Sequence, residues 1–264
     1  MKKSQSKTSK LIPLLPACLL MTGCATQVRS ISHSEYDVPA SRRDADRTVV
    51  SDPAFEYRGE LSEFDVLGIS RGEITSEAEI QRALDTAQPV RLHPGSSILL
   101  IQSGAPFPDG PMVTELSKGF SVVPFSGIPA MRKPGPGGLQ TGSSDPETYA
   151  RSLRLTAARG GNDVILCYWG MLESTSERLP TKTVSWVPLV HWVVPDEKEH
   201  MRIRLKLALI DVRSGHWSIL SPKPFEDTRV TTGPRRGAVD QKQVERLKKL
   251  AYEAGVAELL RRNS

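Results

Sequence analysis

Residues 201–209 alternate strictly between apolar and polar side chains, and this pattern constrains the fold more than any other in the chain. The apolar positions are Met201, Ile203, Leu205, Leu207 and Leu209, and Arg202, Arg204 and Lys206 lie between them. Successive side chains of a β-strand point to opposite faces of its sheet. The pattern therefore predicts a half-buried strand of an antiparallel sheet, with its cations on the solvent side.

The rest of the chain predicts helices and strands around this one. Ile98–Ile101 is a short continuous apolar run, typical of a strand buried on both faces. Further predicted elements are a brief helix from Asp109, a strand Phe120–Phe125, a helix Pro146–Arg159, a strand Val164–Leu172, a returning arm Trp217–Leu220 and a helix Asp240–Arg261. This β-α-β-α-β order, followed by an antiparallel meander and a C-terminal covering helix, predicts an α/β (α+β) fold with a mixed sheet.

The first 23 residues have the features of an export signal. Four lysines occur before residue 11, and Leu11–Met21 is a short apolar run followed by small residues. The run is too short to span a bilayer, which takes roughly 20 residues. Of the 35 basic and 30 acidic residues, the leader holds four of the basic ones, so residues 24–264 carry 31 and 30. A chain so close to neutrality has no field that attracts nucleic acid, and we predict no nucleic-acid partner.

The end of the leader, Leu20-Met21-Thr22-Gly23-Cys24, resembles the lipobox of bacterial lipoproteins. The resemblance implies that Cys24 becomes the first mature residue and carries diacylglycerol and further acyl chains such as palmitate. Met21 departs from the leucine that is usual at its position. Ala25, where an aspartate would favour inner-membrane retention, implies an outer-membrane protein that faces the periplasm.

Four segments follow from these features. Residues 1–23 are the signal peptide, and residues 24–55 are the lipidated cysteine with a polar, flexible tether. Residues 56–95 are an N-terminal extension with one helix, which begins at a capping box formed by Ser76 and Glu79, and with a short strand at Phe64–Ile69. Residues 96–264 are a periplasmic α/β domain.

The predicted order of elements behind a lipobox is similar to the periplasmic domain of the curli-secretion lipoprotein CsgG. It also resembles the LpoB activators of penicillin-binding proteins and the N-terminal domain of TolB. The likeness covers about 165 residues at the level of topology, which is an analogy of fold and not of function. The runs Tyr168–Gly170 and Thr181–Pro188 also look like those of bacterial lipoproteins for which the resemblance implies no activity.

The sequence contains no motif of a known catalytic or metal centre. It has no Gly-x-Ser-x-Gly, no His-Glu-x-x-His, no Walker loop and no Cys-x-x-Cys. We therefore predict no cofactor, no metal and no enzymatic activity. A periplasmic hydrolase with a dispersed site stays open as an alternative, because catalytic residues converge in space and not in order. Its first candidates are Asp163, Cys167, Glu173 and His200.

Two features are candidates for binding a partner. The first is the uncharged segment Trp186–Val194, with Trp186, Leu189 and Trp192; it is either a core strand or an exposed apolar patch that docks a partner or the membrane interface. The second is the row Arg202, Arg204 and Lys206, whose alternate positions stand about 7 Å apart on a strand. Such a row either binds an anionic surface or is a solvated outer face.

These observations favour a non-enzymatic outer-membrane lipoprotein whose periplasmic domain binds an envelope or secretion partner. The membrane itself is a partner through the lipid on Cys24. A homo-oligomer is possible, and the resemblance to CsgG implies an oligomeric secretion subunit as a further alternative. The sequence does not name the partner.

Overall fold

The structure is a computed structural model, and it describes residues 26–33, 59–70, 75–129, 146–178, 197–231 and 236–263. The strands of these residues are β1 (Thr26–Ser30), β2 (Ser97–Gln102), β3 (Ser121–Phe125), β4 (Val164–Arg178), β5 (Glu197–Asp211), β6 (Trp217–Leu220) and β7 (Phe225–Thr231). The helices are α1 (Glu63–Leu67), α2 (Glu77–Thr86), α3 (Gly110–Leu116), α4 (Pro146–Arg159) and α5 (Arg236–Asn263). A 3-10 turn, Ile31–His33, follows β1 directly.

A long antiparallel pair of strands, β4 and β5, forms the centre of the sheet. The two strands are in register from Val164 opposite Asp211 to Arg178 opposite Glu197. At about 3.4 Å per residue, fifteen-residue strands are about 50 Å long. Along one side of β4, the parallel β2 pairs near its start and the antiparallel β1 pairs further along. Along the other side of β5, β7 pairs with its first half and β6 pairs with its second half.

The sheet is mixed, as the sequence predicts. β3 pairs with β2 in parallel, and all the pairings of β5 are antiparallel. The parallel pairs have helices between them in sequence, whereas β5 to β7 form a meander. The predicted α/β class, the mixed sheet and the C-terminal helix are confirmed.

Helices pack on both faces of the sheet, and each face has its own hydrophobic core. On one face, α3 and α5 pack on the alternating apolar residues of β5, including Leu205 and Leu207. On the other face, Leu153 of α4 and Val66 of α1 pack on Ile165, Cys167 and neighbouring residues of β2 and β5. Because β2 contributes to both cores, its four apolar residues are all buried, as the continuous run in the sequence predicts.

The structure corrects two predictions made from the sequence. Residues around Phe64 form the helix α1 and not a strand. Ser62 accepts a hydrogen bond from the amide of Phe64 at the start of this helix, and Gly68 ends it with φ of 71°. The residues that follow Cys24 are also not a tether throughout. Thr26–Ser30 pairs with β4, and the remainder of the predicted tether up to residue 58 lies outside the described residues.

The helix α2 has its predicted capping box but buries none of its residues. Ser76 accepts a bond from the amide of Glu79, and the Glu79 carboxylate accepts one from the amide of Ser76. The hydrogen bonds that this carboxylate accepts from the amide and the hydroxyl of Ser76 lower the pKa of Glu79. Ile80 and Leu84 are 44% and 65% exposed, so the apolar stripe of this helix faces solvent among the described residues.

Candidate functional site

The predicted row of cations lies on a sheet face that the described helices leave open. Over the half of the sheet formed by β1, β4, β5 and β7, directly opposed residues share a face. One such row runs across the sheet through Val28, Glu173, Arg202 and Glu226. Val28 is 53% exposed, and Met171, on the same face of β4, is 47% exposed. We call this surface, defined by Val28, Met171, Glu173, Arg202 and Arg204, the open face.

Carboxylates on the open face neutralise part of the cationic row. The Nε atoms of Arg202 and Arg204 lie 2.7 and 2.9 Å from the two carboxylate oxygens of Glu173. Arg202 also lies 3.5 Å from Glu226, and Lys206 pairs with Glu63 at the start of α1. The hydrogen bond to Glu173 raises the pKa of Arg202. The open face therefore presents an ordered mixture of charges next to apolar side chains, and not a bare cationic ladder.

The second predicted feature cannot be placed on this face. Trp186, Leu189 and Trp192 lie in residues 179–196, outside the described residues. Their proposed role in binding a partner stays a prediction.

The opposite end of the sheet carries a polar cavity of about 830 Å³. Its walls come from the segment 88–96, the start of β4 and the turn after β5, with Arg91, His93, Asp163, Arg213 and His216 among them. Sequence reasoning treats the two histidines separately, since they are more than a hundred residues apart. The pairings of β2 with β4 and of β4 with β5 bring their segments together.

Both carboxylates of this cavity are used by the local fold. Asp163 accepts a hydrogen bond of 2.9 Å from the amide of Ser97, and Asp211 accepts bonds from the amide and hydroxyl of Ser214. Burial acts to raise the pKa of Asp211, but the bonds from Ser214 and the charge of Arg154 lower it overall. Among the described residues no group of three or more His, Cys, Asp or Glu side chains is arranged to hold a metal ion.

A largely buried polar cluster joins β2, β4, α3 and α5 at the carboxyl end of β2. The Tyr168 hydroxyl donates to Oε1 of Gln102 at 2.5 Å, and the amide of Asp109 donates to the same oxygen at 2.7 Å. The carboxylate of Asp109 accepts a hydrogen bond from Tyr252 and lies 3.0 Å from Nζ of Lys248. The rings of Tyr168 and Tyr252 pack edge to face with centroids 5.7 Å apart.

This cluster holds the segment that follows β1. Lys248 donates from Nζ to the carbonyl of Ile31 at 2.9 Å. The Ser32 hydroxyl donates to the carbonyl of Ser103 at 2.6 Å and accepts from the side-chain amide of Gln102 at 3.0 Å. We call the docked residues 26–33 the N-terminal clamp. No local pattern of the sequence indicates it, because its partners Gln102, Ser103 and Lys248 are 70 residues or more away along the chain.

Comparison with known proteins identifies the family of this chain. The family model described as the YafT bacterial lipoprotein matches residues 62–262, which is most of the chain. The chain belongs to the YafT bacterial lipoprotein family. Membership implies a lipid anchor on a membrane. The match begins downstream of Cys24, so the modified residue itself stays a prediction. No helix among the described residues of this YafT-family chain is long and apolar enough to cross a bilayer.

Other comparisons add little to the family assignment. No curated protein matches the YafT-family chain. The solved structure of lipoprotein GNA1162 from Neisseria meningitidis is similar at 15% identity and a TM-score of 0.24, over 59% of this chain and 98% of that one. A likeness at this TM-score supports no conclusion about function. The resemblance to CsgG, LpoB and TolB stays a prediction.

The four residues suggested for a hydrolase do not share one site in the YafT-family chain. Cys167 is completely buried, and burial raises the pKa of its thiol well above the ordinary value. Asp163 lies at the cavity end, whereas Glu173 and His200 lie on the other half of the sheet. Glu173 and Thr175, which is opposite His200, are ten and twelve residues further along β4, or roughly 35–40 Å at strand spacing.

We predict that alkaline pH destabilises this YafT-family protein. Burial raises the pKa of Cys167, Tyr168 and Tyr252, and it raises that of Tyr149 to about 12. In the unfolded chain these groups lose protons near their ordinary pKa values of about 9–10. The unfolded state then binds fewer protons than the folded state, so stability falls as pH rises.

Urea unfolding between about pH 8 and about pH 10.5 measures this effect, with an expected loss on the order of 1 kcal/mol per pH unit for each fully buried group above its unfolded pKa. Tyr252→Phe removes one of these groups and should make the slope shallower. A free energy of unfolding that stays constant over this range would contradict the prediction.

Proposed function

We propose that this chain is a non-enzymatic outer-membrane lipoprotein, anchored through a lipid on Cys24, whose periplasmic domain binds another protein of the cell envelope. Family membership supports the lipid anchor. The lipobox supports Cys24 as its position, and Ala25 supports the outer membrane.

The open face is the observation that carries the partner-binding part of the proposal. Met171 on the inner strand β4 and Val28 on the neighbouring edge strand β1 are both about half exposed, which leaves two large apolar side chains uncovered on one sheet face. Arg204 is 52% exposed beside them and is held in position by Glu173. Methionine and arginine are enriched in protein interfaces, where an apolar centre is surrounded by a polar rim, and the open face combines both residue types.

Site-specific photo-crosslinking in cells tests the proposal. A photoreactive amino acid is placed at Met171 or Arg204 in the full-length lipidated protein, and at Trp186 and Trp192 in separate variants. Lys249, an exposed residue of α5, is the matched control position. We expect one envelope protein to be enriched from Met171 and Arg204 and not from Lys249.

The other outcomes separate the alternatives. Crosslinks from the open face to further copies of the same chain would favour an oligomeric secretion subunit over a hetero-partner. Identical products from all positions, Lys249 included, would remove the support for a specific interface on the open face.

A further inference from the structure

The N-terminal clamp begins immediately after the predicted lipid attachment site. Cys24 and Thr26 are two residues apart, and consecutive Cα atoms of a trans chain are about 3.8 Å apart. Cys24 is therefore within about 7 Å of the first residue of β1, whatever path the connection takes. A lipid on Cys24 would bring this end of the sheet to the level of the headgroups.

The clamp is built into the core. The five residues of β1 pair with β4, and Ile31 is 1% exposed within the larger apolar cluster. Gly170 provides the space for Ile31, since a Cβ at position 170 would lie 2.4 Å from Cδ1 of Ile31. With the bonds from Lys248 and Gln102, the clamp fixes the direction in which the chain leaves the domain.

We propose that the clamp makes the domain stand upright on the bilayer, with one end of the sheet against phospholipid headgroups and the cavity at the other end. This inference rests on the lipid at Cys24 in the proposed function. The membrane-facing end is the one where β1 and β5 begin. The cavity lies roughly 40 Å from Thr175 along β4, out of reach of the membrane.

The chemistry of the membrane-facing end suits a phospholipid surface. The last row common to its four strands is Thr26, Thr175, His200 and Thr228, and Lys198 lies exposed two residues beyond it. Thr26 and Thr175 hydroxyl oxygens are 3.2 Å apart, and Nδ1 of His200 is 2.9 Å from the hydroxyl of Thr228. Hydroxyl and imidazole groups exchange hydrogen bonds readily with phosphate and glycerol oxygens. The short linker, and not charge attraction, keeps the two surfaces together.

Fluorescence quenching by headgroup-labelled lipid tests the orientation. The lipidated protein is reconstituted in vesicles of phosphatidylethanolamine and phosphatidylglycerol that contain a lipid with a nitroxide headgroup. A fluorophore is attached at Lys198→Cys in one variant and at Arg213→Cys in the other; both positions are exposed, and the native Cys167 is fully buried. We expect at least a twofold loss of fluorescence at position 198 and none at position 213.

A spacer variant provides the matched control. Insertion of ten Gly and Ser residues between Ala25 and Thr26 leaves the clamp intact but adds about 18 Å of average reach. Quenching at position 198 should then fall markedly, while co-flotation with the vesicles is unchanged.

Each further outcome has a distinct meaning. Equal quenching at positions 198 and 213, or none at either in protein that floats with the vesicles, would overturn the upright orientation and leave the lipid anchor standing. Protein that does not float with the vesicles would overturn the anchor, and the orientation would fall with it.

Discussion

Replacing Cys24 by serine should move the protein from the membrane fraction to the soluble fraction. Lipidation supplies several acyl chains, and each buried CH₂ contributes about 0.8 kcal/mol to membrane binding. We expect more than a tenfold drop in membrane-bound protein, measured by fractionation and by incorporation of labelled palmitate.

Cys18→Ser is the matched control, because Cys18 lies within the predicted signal peptide and leaves with it. That variant should be lipidated and retained as the unsubstituted protein is. Continued membrane retention of Cys24→Ser, with loss of the palmitate label, would place the anchor elsewhere in the chain.

Ile31→Ala and Gly170→Ala should each destabilise the protein, and the two substitutions together should not be additive. Truncation of a buried isoleucine costs about 2–5 kcal/mol. Gly170→Ala adds a methyl group against Cδ1, Cγ1 and Cγ2 of Ile31, and overpacking of this kind costs about 1–3 kcal/mol. Ile31→Ala removes all three of these atoms. In that background Gly170→Ala should be neutral or slightly stabilising, because alanine also restricts the unfolded chain.

Urea unfolding of the four proteins of this double-mutant cycle measures the coupling between the two residues. Leu259→Ala is the control partner: Leu259 is fully buried in α5, and the three atoms nearest to a Cβ on Gly170 all belong to Ile31. Its effect should add to that of Gly170→Ala. If the Ile31 and Gly170 effects were also additive, the contact that seats the clamp would not exist in solution.

The central part of the fold follows from local patterns of the sequence. The alternation of Met201–Leu209 predicts both the faces of β5 and the side that α5 covers. The continuous run at Ile98 predicts a strand between two helical layers. These predictions succeed because burial of apolar side chains at period two or 3.6 dominates the energetics of those segments.

Local patterns of the sequence do not predict the N-terminal clamp or the polar cluster. β1 contains one apolar residue, Val28, and that side chain faces solvent. The stability of β1 comes from backbone bonds to β4 and from Ile31, which follows the strand. Within the cluster, Asp109 and Tyr252 are 143 residues apart, so no spacing in the sequence connects them. The helix at Phe64 is missed because its capping residues, Ser62 and Gly68, enclose only five helical residues.

The direction of β1 has a mechanical consequence. When the upright domain is drawn away from the membrane, the force acts along the axis of its sheet. Because β1 leaves the sheet at its membrane-facing end, tension on the lipid draws the strand lengthwise along β4. The backbone hydrogen bonds lie across this direction and share the load together, instead of opening one after another. The antiparallel pairing of β1 with β4 therefore lets the lipid attachment resist a shearing force.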